Sequence, residues 1–305
     1  MESEERHGIL AVIIAYSLWG FMPLYWKALS HVSSEEILAG RIIWSFVFTM
    51  VIVLIGRNWR VLIRDLQELR KNKKSFYSLF LASYLIAGNW FIYIYAVNEE
   101  YIVQASLGYY INPLFSVVLG ILFLKETLSP AQKLAVGMAG LGVVLLIITY
   151  KEIPWIALVL ATTFAFYGLI KKHIAIDAIR GLTLETLFVL PVALLYFGYL
   201  LINNEAVFFT SDTKTMLLII FTGAATAIPL ILFAKGTKTM PLYMSGFFQY
   251  IAPTIMLLVG VFLYNESFSK MEFFSFSLIW LSLIAFTFSK VAEYRRKKLI
   301  PLGDL

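Results

Sequence analysis

There is no cysteine in the 305 residues. That removes a disulfide framework, a thiolate metal site and a cysteine nucleophile together. Histidine is scarce. His7, His31 and His173 lie far apart, near predicted helix ends, with no metal-ligand spacing. Neither a metal nor a cofactor is expected. Charge is scarce as well. Only 14% of residues are Asp, Glu, Lys or Arg, against about a quarter in a soluble domain. With 60% hydrophobic residues, the chain cannot cover its surface with polar groups, so part of its solvent is lipid. The chain contains no GxxxxGK[ST] phosphate loop, no HExxH and no GxSxG elbow. These absences speak against an enzyme and against ATP-driven pumping by this chain alone. An enzyme acting on lipids would need catalytic polar groups clustered at one membrane face, and the sequence offers none.

What is present is a series of long apolar runs. A helix rises about 1.5 Å per residue, so crossing a core of roughly 30 Å takes about 20 apolar residues. Ten such runs stand near 9–28, 35–56, 76–97, 102–124, 133–149, 153–171, 182–202, 215–234, 241–264 and 271–290. Backbone groups in lipid must bond within their own segment, so the runs predict helices; a β-barrel would show short alternating strands. Residues 8–29 follow an acidic flank and exceed a signal-peptide core in length, so they read as a retained first helix.

The basic residues predict the orientation. With the N-terminus in the cytoplasm, twenty Lys and Arg fall on the cytoplasmic side. Only Lys27, Lys151, Lys214 and Lys270 fall outside. Arg41 lies inside the second run. This asymmetry is a strong positive-inside signal and places both termini in the cytoplasm. It also accounts for the net charge of +6 without nucleic acid. The basic stretch 57–74 reads as a solvated loop meeting anionic lipid head groups.

The two halves repeat. A shift of 140 residues lays Tyr110 on Tyr250, Asn112-Pro113 on Ala252-Pro253, Gly120 on Gly260 and Glu126 on Glu266. With a drifting offset, Trp19-Gly20 meets Tyr167-Gly168, and Arg41 meets Glu185. Five spans per half is an odd number, so the second copy is inverted. The expected fold is all-α and integral to the membrane: ten transmembrane helices as two inverted five-helix repeats, 1–150 and 151–305. Inverted repeats with a site at their interface are a recurring plan of secondary transporters.

The repeated segments also resemble a known family. AYSLWG (15–20), EILAGRIIWSF (36–46), GNW (88–90), ASLGYYINPL (105–114) and LKE (124–126) carry the likeness in the first half. FAFYGLIKK (164–172), LETLFVLP (184–191) and GFFQYIAPT (246–254) carry it in the second. Together they resemble the drug/metabolite transporter superfamily, its EamA-type members and among these the RarD subgroup. The resemblance covers nearly the whole chain. It implies a permease of the bacterial inner membrane that exports small drug- or metabolite-like solutes. An uncoupled channel or facilitator is the competing expectation.

Candidate pathway residues are suggested by the cost of polar side chains in lipid. An arginine at mid-helix costs about 2.5–3.5 kcal/mol. Arg41, with Trp44 and Ser45 on its face, either meets an anionic group or pathway, or snorkels and pairs with Glu35, Glu36, Glu99 or Glu100. Asn89 and Trp90, with Tyr93 a turn on, either meet a polar solute or bond a neighbouring helix. Tyr109 and Asn112 share a face of the fourth span with small residues, and Gln249 and Tyr250 stand at matching positions of the ninth. Trp19 lies beside a stripe of Tyr16, Gly20 and Pro23. Pro113 and Pro253 can kink matching helices. Glu185 either carries a coupling proton or pairs with Lys171, Lys172 or Arg180. The expected partners are a small-molecule substrate, membrane lipids and a proton or other coupling ion.

Overall fold

The structure, a computed structural model, describes residues 2–124, 128–150, 153–171, 174, 176–237 and 248–299. No strand occurs among them. The helices are α1 (Glu2–Gly20), α2 (Met22–Lys27), α3 (Ser34–Ile55), α4 (Trp59–Lys71), α5 (Lys73–Asn98), α6 (Ile102–Leu124) and α7 (Pro130–Tyr150). They continue with α8 (Trp155–Lys171), α9 (Ala178–Ile202), α10 (Val207–Thr210), α11 (Thr213–Thr237), α12 (Ile251–Leu258) and α13 (Lys270–Leu299). A π-helical turn, Val259–Leu263, continues α12.

Among the described residues, six stretches are long and apolar enough to cross a membrane: His7–Lys27, Ser34–Ile55, Lys73–Asn98, Pro130–Thr149, Ala178–Ile202 and Thr213–Phe233. Trp155–Lys171 and Ile251–Leu263 are shorter apolar helices. Large apolar side chains stand fully outward on these elements, such as Ile55, Leu195, Ile202 and Phe262. A water-soluble domain would bury them, so the outer surface suits hydrocarbon.

Three local features differ from the expectation. The first span is interrupted at Phe21, where α1 ends and α2 begins with Pro23 in its first turn. Proline lacks the amide proton that a continuous helix needs there. The basic stretch 57–74 is not a plain loop but contains α4. Leu62, Leu66 and Leu69 recur at helical spacing and pack on a cluster with Leu79, Ile174 and Leu184. Asp65 of α4 accepts from Arg180 Nε at 2.6 Å. Between α9 and α11 lies the single turn α10, whose Val207 and Phe208 amides donate to the Glu36 carboxylate at 3.2 and 2.8 Å.

Helices pack α3 on α9 and α11, α1 on α11 and α12, α6 on α8 and α12, α5 on α8 and α9, and α7 on α13. Glycine sets the closest approaches. A Cβ at Gly223 would collide with the Trp44 carbonyl, and one at Gly40 would stand 2.6 Å from Ile219. Gly223 lets α11 meet the α3 backbone directly, and Gly40 makes room on α3 for the Ile219 side chain. A Cβ at Gly108 would stand 2.9 Å from the Ala157 carbonyl, bringing α6 onto α8 in the same way.

Candidate functional site

The contact of α3 with α11 decides where Arg41 points. Thr226 lies one turn beyond Gly223, and its Oγ1 accepts from Arg41 Nε at 2.9 Å. Two indoles enclose the guanidinium. Its Cζ lies 4.2 Å from the Trp90 ring centre and 5.1 Å from that of Trp26, within cation–π range. Tyr25, Tyr93 and Tyr109 are the ionisable groups that face it. The Tyr93 and Tyr109 rings meet edge to face at 5.7 Å. Arg41 is thus a buried cation held by side chains from α2, α3, α5, α6 and α11.

The four glutamates considered as partners for Arg41 stand elsewhere. Glu36 binds the start of α10. Glu100 pairs with Lys27 at 3.0 Å. Among the described residues no carboxylate, Glu35 and Glu99 included, comes within 4 Å of the guanidinium.

The remaining sequence candidates fall into separate places. Trp44 packs at the edge of the same cluster, its ring 6.4 Å from Phe208. Asn89 turns toward α8 and donates to the Leu160 carbonyl and to Thr163 Oγ1, both at 2.9 Å. Asn112 is buried, and its Oδ1 has no partner among the described residues. Trp19 stands in an aromatic group with Tyr16 and Phe233, at 5.3 and 5.8 Å. The Tyr250 ring stacks on Tyr110 at 6.5 Å. Gln249 sits half-buried in the turn before α12. The Pro253 carbonyl accepts from Ser106 Oγ at 2.8 Å, joining α12 to α6. Pro113 lies within α6, its side chain outside the described residues. Glu126 is outside them altogether.

Glu185 is buried and doubly held. Its carboxylate accepts from Tyr167 Oη at 3.0 Å and from Lys171 Nζ. A small apolar cleft of about 10 Å³ lies beside it, lined by Ile42, Ser83, Ala87, Trp90 and Thr186 among others. Trp90 therefore separates Arg41 on one side from the surroundings of Glu185 on the other.

The side opposite α4 carries a row of contacts. Tyr25 Oη donates to the Leu218 carbonyl, and His31 Nε2 meets Thr215 Oγ1 at 2.9 Å. Glu266 receives the Ile102 and Val103 amides, both at 2.8 Å, at the start of α6. Burial raises the Glu266 carboxyl above its ordinary value, with Glu100 adding to the rise. The two amides and Lys27 oppose it. The sequence marks Glu266 only by its match to Glu126, and Trp26 and Thr226 are absent from its candidate residues. Thr222 and Thr226, a turn apart on an apolar helix, were the available sign of a polar face.

These features define a helical membrane protein with a cation buried where helices from both ends of the chain converge. The chain belongs to the EamA-like transporter family, among its RarD-type drug/metabolite transporters. The family model, described as the EamA-like transporter family, matches residues 6–148. "Uncharacterized transporter YojE" of Bacillus subtilis is 48% identical over 97% of this chain and 98% of its own. "Protein RarD" of Escherichia coli is 38% identical over 96% and 98%. "Chloramphenicol-sensitive protein RarD" of Pseudomonas aeruginosa is 27% identical over 91% and 92%. A solved crystal structure covers 92% of this chain and 97% of its own chain, at a TM-score of 0.53 and 16% identity, a likeness of fold alone.

Proposed function

We propose that the chain is a secondary transporter exporting small solutes across the bacterial inner membrane by alternating access. Its ten spans form two inverted units, 1–150 and 151–305, with both termini in the cytoplasm. The pattern of helix pairing supports this reading. Exchange the halves, so that α1 stands for α8, α3 for α9, α5 for α11, α6 for α12 and α7 for α13. The pair α1–α11 then becomes α8–α5, α6–α8 becomes α12–α1, and α3–α11 becomes α9–α5, all of which occur. The pairs α3–α9, α6–α12 and α7–α13 map onto themselves. Helices α6 and α13, of 23 and 30 residues, are long enough for two of the remaining spans.

The observation that carries the proposal is Arg41: a cation inside an apolar span, with no carboxylate partner among the described residues, where α3 meets α11. A buried charge of this kind is the usual mark of a transport pathway. Trp44, Asn89, Trp90, Tyr109, Asn112, Gln249 and Tyr250 extend the path, with Trp19 at its edge. Pro113 and Pro253 serve as matching flexion points, and Glu185 as the group that exchanges a coupling proton. The contacts among α2, α5, α6, α11 and Glu266 close the outer side.

Counterflow in proteoliposomes tests the proposal. Protein preloaded with unlabelled solute should draw in labelled solute faster than empty vesicles do, which an open pore does not. The name carried by the Pseudomonas relative puts chloramphenicol in the first solute panel. No flux of any solute in a broad panel would refute the transport reading.

A further inference from the structure

Around Arg41 the interior supplies donors and too few acceptors. Arg41 Nη1, Tyr93 Oη, Trp26 Nε1 and, one turn along α3, Ser45 Oγ are all buried. None has a hydrogen-bond partner among the described residues. Arg41 and Tyr93 are only 8% and 6% exposed. The open acceptors of the same interior, on Asn98, Gln104 and Asn112, bond none of them. A guanidinium and an indole N–H can only donate. A buried cation without a counter-charge is costly, and so is each unfilled donor.

One kind of group answers all of this. A carboxylate only accepts, offers two oxygens, and matches the guanidinium fork. The walls are the Trp26 and Trp90 rings with Tyr93 and Tyr109, so the rest of the ligand is apolar or aromatic. We infer that Arg41 and Tyr93 form an anion site for a small amphipathic monocarboxylic acid. Its carboxylate lies on the guanidinium and its hydrocarbon part against the indoles. An amine would meet Arg41 with like charge. An amide brings one neutral oxygen where the guanidinium fork takes two, and no charge to offset the cation. A dianion would bring a second negative charge, whereas the ionisable groups found facing Arg41 among the described residues are tyrosines. The inference rests on the transport reading and names the class of solute it serves.

The test uses the purified full chain in detergent and three matched probes: phenylpropionate, its amide, and phenylpropylamine. Benzoate, octanoate and inorganic phosphate complete the set. Thermal shift and tryptophan fluorescence report binding. The acids should bind at least about tenfold more tightly than the amide, amine or phosphate. Arg41→Gln should weaken acid binding about ten- to a hundredfold, the scale of a lost charge-assisted hydrogen bond. Tyr93→Phe should weaken it several-fold. Arg41→Lys should still prefer acid to amide. Equal binding of acid and amide, or no acid binding at millimolar concentration, overturns the site. Should Arg41→Gln not fold, the acid–amide comparison on the unaltered chain and Tyr93→Phe decide. If no acid binds while a neutral solute shows counterflow, transport stands and the anion site falls. If acids bind selectively but nothing is carried, the site stands and the transport reading falls.

Discussion

Single residues in this protein act through what they leave room for. Gly223 has a backbone carbonyl where its Cβ would be, whereas Gly88 has nothing within 4 Å. Gly223→Ala should therefore destabilise by about 1–3 kcal/mol, an overpacking cost, and pull Thr226 away from Arg41. Gly88→Ala should be neutral or stabilising by up to about 1 kcal/mol, because alanine suits a helix interior better. Thermal unfolding in one detergent separates the pair; equal effects would refute the packing account. At Glu185 the expected loss is larger. Glu185→Ala strands Lys171 and the Tyr167 hydroxyl and should cost about 3 kcal/mol. Glu185→Gln, which keeps an acceptor for Tyr167, should cost less. Arg41 was legible in the sequence as the basic residue lying deepest within an apolar run. Its enclosure was not, because Trp26, the Trp90–Tyr93 pair and Thr226 come from three different helices, and which of their faces meet is set by packing.

Among the elements, hydropathy located several of the helices to within a few residues. The second run, 35–56, is α3 at Ser34–Ile55. It failed where another force set the boundary. Helix α9 starts at Ala178, before its apolar run, because Asp177 accepts from the Ile179 amide and caps it. Helix α13 runs on to Leu299 through a string of good helix formers. The single turn α10 depends on a distant carboxylate, which no local pattern announces. Glu36→Ala should leave two amides without an acceptor and cost about 1–3 kcal/mol. Hydrogen exchange at Val207 and Phe208 should quicken more than elsewhere. Glu266 plays the same part for α6, with an added dependence on pH. Its carboxyl is raised when bound, so the bound form holds its proton better than the unfolded chain does. That contribution to stability is whole below the ordinary glutamate value and is lost as pH rises through the raised one. A melting profile against pH should lose this component in Glu266→Gln; an unchanged profile would refute it.

For the molecule as a whole, the distribution of Lys and Arg predicts the side on which each loop lies. The lack of cysteine makes this easy to check, because any introduced thiol is the sole target. Single cysteines at Glu68 and Asp304 should both react with impermeant maleimide only from the cytoplasmic face, and one at Asn204 only from the other. Labels at 68 and 304 on opposite faces would rule out an even number of spans between them. The proposed repeat rests in the sequence on spaced Pro, Gly and Glu, since shared leucines carry no weight in a lipid-facing chain. The exchangeable pairing of helices was not readable, because it depends on which faces meet.

The π-helical turn at Val259–Leu263 has a consequence for energetics. Its counterpart by the 140-residue shift lies in α6, which is regular from Ile102 to Leu124. A π turn inserts a residue into the helical repeat and rotates the chain beyond it. On the proposed reading of two inverted units under alternating access, the units are thus unequal and the two end states differ in free energy. The empty carrier would spend most of its time facing one compartment. That bias sets the concentration at which each side saturates, while the final gradient is left to the driving ion alone.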